Sequence, residues 1–287
     1  MEVRETGGVS ERGVKGADRN VAATKDRKCS EPEVQRGKVK NKKCNAVEFP
    51  EAPVLASKMF AKDQIKPVVI LLYTVLAATV WKYYAFPDLG AEPALSDFWL
   101  GTTPLFAALS LFALIPMGIV KWGFRERLAD YGLRLGIAHR TVRSFLLAAP
   151  IIIVIAVFTG HNSAFFDVYP LNTTIRPQRS TIGVNLFVIH AMCYLGYYFG
   201  WEFLFRGFLQ HGLSERCGIP VAILIQTLAS VMLHYGHPSV EVFGAVIAGL
   251  VWGFFAYRTR SILSGFGQHA LLGIVLDWVL IFGRAET

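Results

Sequence analysis

Glu202 and Arg206 lie four residues apart in the run Gly200-Trp201-Glu202-Phe203-Leu204-Phe205-Arg206-Gly207-Phe208-Leu209. On a helix, positions i and i+4 share a face, so carboxylate and guanidinium point the same way. The flanks, Val184–Tyr198 and Val221–Leu233, are apolar. Charge in such surroundings is costly and faces a bundle interior, where it is paired or does chemistry. Two imidazoles stand at a comparable depth. Helix rise counted from the nearest basic turns puts Glu202, His234 and His269 roughly 18, 22 and 13 Å into the apolar layer. A shielded carboxylate can act as general base on water, and an imidazole can hold that water or stabilise an oxyanion. Together they suit hydrolysis of a peptide bond where bulk water is excluded. The same three groups are metal-ligand types, so Glu202, His234 and His269 form an alternative candidate set for a divalent ion. They come from three separate segments, however, and no ligand spacing supports a metal.

Other hydrolytic signatures are missing from the sequence. There is no HExxH helix, no GxSxG elbow, no Gly-x-Ser-Gly and no Gly-x-Gly-Asp. The four cysteines, Cys29, Cys44, Cys193 and Cys217, show no paired spacing, so no disulfide framework or cysteine-based zinc site is expected.

The elements that must position these groups read as membrane helices. The 287 residues are 53% hydrophobic and only 17% charged, with 21 Phe, which points to a membrane protein rather than a soluble globule. The formal charge of +8 does not imply nucleic acid, because twelve of the 29 Lys and Arg precede Glu48 and most others fall in short loops between apolar runs. Residues 1–48 contain no aromatic residue and read as a disordered basic tail, with Lys38–Lys43 able to touch anionic lipid. Residues 49–287 read as a membrane-embedded helical domain. Its spans are expected at Pro67–Trp81, Phe98–Val120, Phe145–Thr159, Ile182–Leu213, Val221–Tyr235, Val240–Tyr257 and Ile262–Phe282. The fold class is thus all-α, a polytopic bundle of about seven spans, or eight if one is split. An inside N-terminus puts the Lys121–Arg143 loop and the Arg258–Arg260 turn in the cytoplasm and the acidic Pro87–Asp97 loop outside, as the positive-inside rule expects.

Three short motifs then stand in register: Trp201-Glu202-Phe203-Leu204-Phe205-Arg206, Ser230-Val231-Met232-Leu233-His234 and His269-Ala270-Leu271-Leu272-Gly273. With the intervening Gly249–Gly253 and Arg258–Ile262 patterns, they resemble the CPBP family. That family comprises the type II CAAX-prenyl endopeptidases and the bacterial Abi-like bacteriocin-processing and immunity proteins, whose motifs are EExxxR, FxxxH and HxxxN. The resemblance covers about residues 187–281. It implies an intramembrane endopeptidase that uses a glutamate-activated water, without a cofactor. The implied partners are membrane lipid and a peptide or protein substrate, prenylated in the CAAX type, and no nucleic acid. The expected roles are Glu202 as base, His234 as its water-holding partner, His269 as oxyanion or water ligand, and Arg206 as organiser. Trp201 stands where the first motif glutamate is expected, which is most similar to a bacterial branch carrying Trp-Glu and places the protein in a bacterial inner membrane. Ser230 replaces Phe, and Gly273 replaces an oxyanion-holding Asn. Glu241 and His237 flank Pro238 at the mouth of the site, and Asp277 is a candidate to orient His269. The rival expectation is a catalytically silent scaffold or immunity-type protein that binds a peptide or lipid-linked partner.

Overall fold

A computed structural model describes residues 62–90, 94–176 and 183–283, together with the backbone of Val34–Gln35 and Lys38–Val39. These last four residues lie in a separate N-terminal unit, residues 1–60, and pair as a two-residue antiparallel ladder, Val34 opposite Val39. They are an exception to the all-helical expectation; the rest of the expected disordered tail lies outside the described residues.

The second unit is helical wherever it is described in regular structure. Its main helices are α1 (Lys62–Tyr84), α2 (Leu95–Phe124), α3 (Ala138–Gly160), α4 (Val184–Glu202), α5 (Gly212–Cys217), α6 (Ile219–Leu233), α7 (Ser239–Thr259) and α8 (Leu263–Phe282). Five stretches are long and apolar enough to cross a membrane: Gln64–Tyr84 of α1 and the whole of α2, α3, α7 and α8. Five of the seven expected spans therefore meet that test. The α6 helix is a shorter apolar helix, about 22 Å long at helical rise. Boundaries also moved. The α3 helix begins at Ala138, not Phe145, and the expected Ser214–Pro220 turn shrinks to Gly218, whose φ of +78° a glycine adopts without strain. Along α3, Leu146, Val154 and Phe158 are exposed, the face a helix turns toward lipid tails.

Three features position the site. Between α4 and α5 the chain stays helical but changes type: Phe203–His211 is a π-helix. Its i→i+5 bonding widens the turn directly after Glu202, and such widened turns recur at functional sites. Second, α7 packs very closely through its glycines. A Cβ at Gly249 would meet Thr227 at 2.7 Å, and one at Gly253 would meet the Gln226 and Gln210 amides at 2.8 and 2.9 Å. Those amides donate to the Gly249 and Gly253 carbonyls, at 2.7 Å from Gln226 and 2.8 Å from Gln210. Small residues let backbones approach, and buried amides then hold them. Third, the basic loop after α2 docks onto the α7–α8 turn. Ser261 donates to the Arg134 carbonyl, Ile262 N to Gly132 O at 3.0 Å, and Ile137 N to Thr259 O at 2.9 Å.

Candidate active site

Glu202 is the last residue of α4 and is fully buried. Its Oε1 accepts the Nδ1–H of His269 from α8 at 3.0 Å and lies 3.2 Å from Arg206 Nη1. The Arg206 guanidinium, 1% exposed, also stands 5.6 Å over the Trp252 ring of α7. Gly265 makes room for the carboxylate, since a Cβ there would lie 2.5 Å from Glu202 Oε2. Tyr198 and Trp252 flank the His269 ring, each with centroids 4.6 Å away. A carboxylate can only accept, so the His269 proton sits on Nδ1, and Nε2 is left for other partners.

His234 follows the last residue of α6 and does not reach Glu202. Its Nδ1–H donates to the Ser230 carbonyl at 2.9 Å, which leaves Nε2 as the acceptor nitrogen of the neutral ring. That Nε2 lies 3.9 Å from Glu241 Oε1 in the first turn of α7. Glu241 Oε1 accepts from the Tyr169 hydroxyl at 2.6 Å and from His237 Nδ1–H at 2.9 Å. Glu241 Oε2 is buried and has no hydrogen-bond partner among the described residues. Tyr169 comes from the loop after α3, which two 3₁₀ turns, capped by Asn162 and Asn172, fold back over the bundle. Burial, then the neighbouring Glu241 carboxylate, pushes the Tyr169 phenol well above its ordinary value, so it stays protonated and donates.

Trp201 joins the two halves. Its buried indole is edge-on to both imidazoles, 5.4 Å from His234 and 6.1 Å from His269. Both halves face one cavity of about 990 Å³, walled mainly by apolar side chains of α3 and α7 such as Ile151, Ile155, Phe243 and Ile247. Its polar lining includes Arg206, His234, Glu241 and His269, whereas Glu202 lies behind that wall. Gly273 has a counterpart too. A Cβ there would fall 1.6 Å from the Tyr198 hydroxyl, so the phenol fills the space that a side chain at 273 would occupy.

One expected placement changes. Asp277 does not orient His269; it pairs with buried His190 at 2.8 Å. Eight residues advance a helix about 80° beyond two full turns, which turns Asp277 toward α4. Glu241 and His237, expected at the mouth of the site, are largely buried, their side chains only 14% and 17% exposed. Among the described residues no group of three or more His, Cys, Asp or Glu is arranged to hold a metal ion. Tyr169, Tyr198 and Trp252 were missed as site residues. Tyr198, four residues before Glu202, had a spacing signal, and Trp252 sits inside the Gly249–Gly253 pattern. Tyr169 had none, because only the loop's fold brings it in.

No curated protein and no solved structure matches the chain. Residues 182–275, about a third of it, match the family model described as type II CAAX prenyl endopeptidase Rce1-like. The matched stretch contains Glu202, Arg206, His234, Glu241 and His269, and so takes in every motif residue gathered at the cavity. By this match, and by the three motifs in register, residues 182–275 are similar to the type II CAAX-prenyl endopeptidases and their relatives.

Proposed function

We propose that the protein is a glutamate-dependent intramembrane endopeptidase, acting on membrane-associated peptides or proteins, including CAAX-type prenylated ones. One observation carries this reading: two imidazoles, each backed by a carboxylate, line the polar end of an otherwise apolar, 990 Å³ cavity. The apolar walls suit the apolar side chains or lipid of such a substrate, and the polar end suits the scissile carbonyl. In this reading Glu202 fixes the tautomer and direction of His269, while Arg206 balances the buried charge. The Tyr198 hydroxyl donates to the carbonyl oxygen as it gains charge, the acceptor Nε2 of His234 holds the attacking water, and His269 Nε2, which can only accept in this tautomer, receives a substrate N–H. Because Glu202 lies behind the cavity wall, its part here is positioning rather than direct contact with water.

The membrane setting follows the same reading. The chain crosses seven times, with the N-terminus in the cytoplasm of a bacterial cell. In support, the basic loop and the Arg258–Arg260 turn are hydrogen-bonded to each other, Arg134 Nε donating to Arg260 O at 2.9 Å, so they share one side.

The test is cleavage in proteoliposomes of a peptide library, half of it farnesylated at a C-terminal CAAX cysteine, with products read by mass spectrometry. The wild type is expected to cleave, and Glu202→Gln to lose about 10²-fold or more in rate. Full activity in both Glu202→Gln and His269→Asn would sink the assignment of the site.

A further inference from the structure

We infer that Glu241 is the general base, the carboxylate that takes the proton from the hydrolytic water. This rests on the endopeptidase reading and adds a catalytic residue to it. Hydrolysis needs a carboxylate that water can reach. Glu202 fails that condition: it is fully buried, absent from the cavity wall, and its Oε1 is engaged by His269 and Arg206. Glu241 meets it. It lines the same cavity as His234, Arg206 and His269.

The environment of Glu241 is divided between its two oxygens. Oε1 is fixed by the Tyr169 hydroxyl at 2.6 Å and by His237 at 2.9 Å. Oε2 is buried and has no partner among the described residues. Buried polar atoms are nearly always satisfied, so an unpartnered carboxylate oxygen on a residue that lines a cavity is a place for a donor from water or substrate; Glu202 Oε2 is likewise buried and unpartnered, but Glu202 does not line the cavity. A carboxylate needed only as an acidic residue in the first turn of α7 would not require a tyrosine from a distant loop and a histidine from the preceding turn to hold it. His234 Nε2, 3.9 Å away and an acceptor, faces the same carboxylate. A water between them can donate one hydrogen to each, which leaves its lone pair free to attack.

The step balances without a co-reactant. One O–H bond of water breaks and its proton passes to Glu241 Oε2. The water oxygen bonds to the carbonyl carbon, and the C=O π pair moves onto the oxygen. When the C=O bond re-forms, the C–N bond breaks, its pair stays on nitrogen, and that nitrogen takes the proton back from Glu241. The products are an acid and an amine. Trp201, edge-on to His234, supplies no carboxylate here.

The experiment uses the full chain in proteoliposomes and a farnesylated fluorogenic CAAX peptide. Glu241→Gln keeps the size of the side chain. It is expected to lose about 10²–10⁴-fold in kcat with KM within about twofold, and to melt within a few degrees of the wild type in detergent. Glu241→Ala is expected to regain at least about fivefold when formate is added, because a free carboxylate can replace the missing base. If the wild type cleaves and Glu241→Gln keeps its kcat, the assignment is overturned while the endopeptidase reading stands. Loss of kcat in Glu241→Ala that formate does not relieve, together with a collapsed melting temperature in Glu241→Gln, would make Glu241 structural and overturn it as well. No cleavage by the wild type, with this peptide or across the library, overturns both.

Discussion

At the scale of single residues, the protein concentrates buried charge in one pair. Glu202 and Arg206 are both shielded from solvent and oppose each other at 3.2 Å. Breaking such a pair by neutralising one partner leaves the other charge uncompensated, which costs about 3–5 kcal/mol, whereas replacing both together costs far less. Thermal melting in detergent should therefore fall sharply for Glu202→Gln and recover in large part for Glu202→Gln combined with Arg206→Met. Equal melting of the two variants would remove the ion pair from the account. The hydroxyl over Gly273 invites a separate measurement. Tyr198→Phe removes one donor from the carbonyl oxygen's side of the cavity and should lower kcat about 10²-fold with little change in KM. An unchanged kcat would exclude that role.

At the scale of elements, close helix packing sets where the carboxylates lie. Gly265 is required because Glu202 Oε2 occupies the volume of a side chain at that position, 2.5 Å from where its Cβ would be. Gly265→Ala should displace the carboxylate and destabilise the fold by about 1–3 kcal/mol, as overpacking does. Gly244 on α7 is the control, since a Cβ there meets nothing within 4 Å. Gly244→Ala should be neutral, or stabilising by up to about 1 kcal/mol from helix propensity. A denaturation series on the two variants distinguishes a packing constraint from a general intolerance of glycine replacement. The π-helix over Phe203–His211 belongs to this scale too, because it sets the direction in which Arg206 leaves the backbone relative to Glu202.

At the scale of the molecule, one end of the bundle is closed by its basic segments. The Lys121–Arg143 loop is hydrogen-bonded to the α7–α8 turn, and Lys66 of α1 pairs with Glu126 at 2.8 Å on the same loop. These links tie α1, α2, α7 and α8 together. Cysteine reporters test the orientation. Ala94→Cys, in the acidic loop, should react with a membrane-impermeant thiol reagent added to intact cells. Glu215→Cys, before the α5–α6 turn, should react only after permeabilisation. The opposite pattern would invert the topology.

Much of this was legible from the chain alone. Successive apolar runs, separated by short basic or acidic loops, specify an all-helical membrane bundle, because only helices or closed barrels satisfy the backbone there. The Glu202–Arg206 pair was readable from i,i+4 spacing, and Glu202, His234 and His269 from matched depth along their helices; the structure keeps His269 on Glu202 and sets His234 beside Glu241 instead. Other features depended on rotation and approach, which a one-dimensional count does not contain. About 80° of helix rotation sent Asp277 to His190 rather than to His269. A folded loop carried Tyr169 onto Glu241 across 72 positions of sequence. Three-dimensional packing alone decided that Glu202 lies behind the cavity wall and Glu241 on it, because which carboxylate meets water depends on the helices packed in front of each.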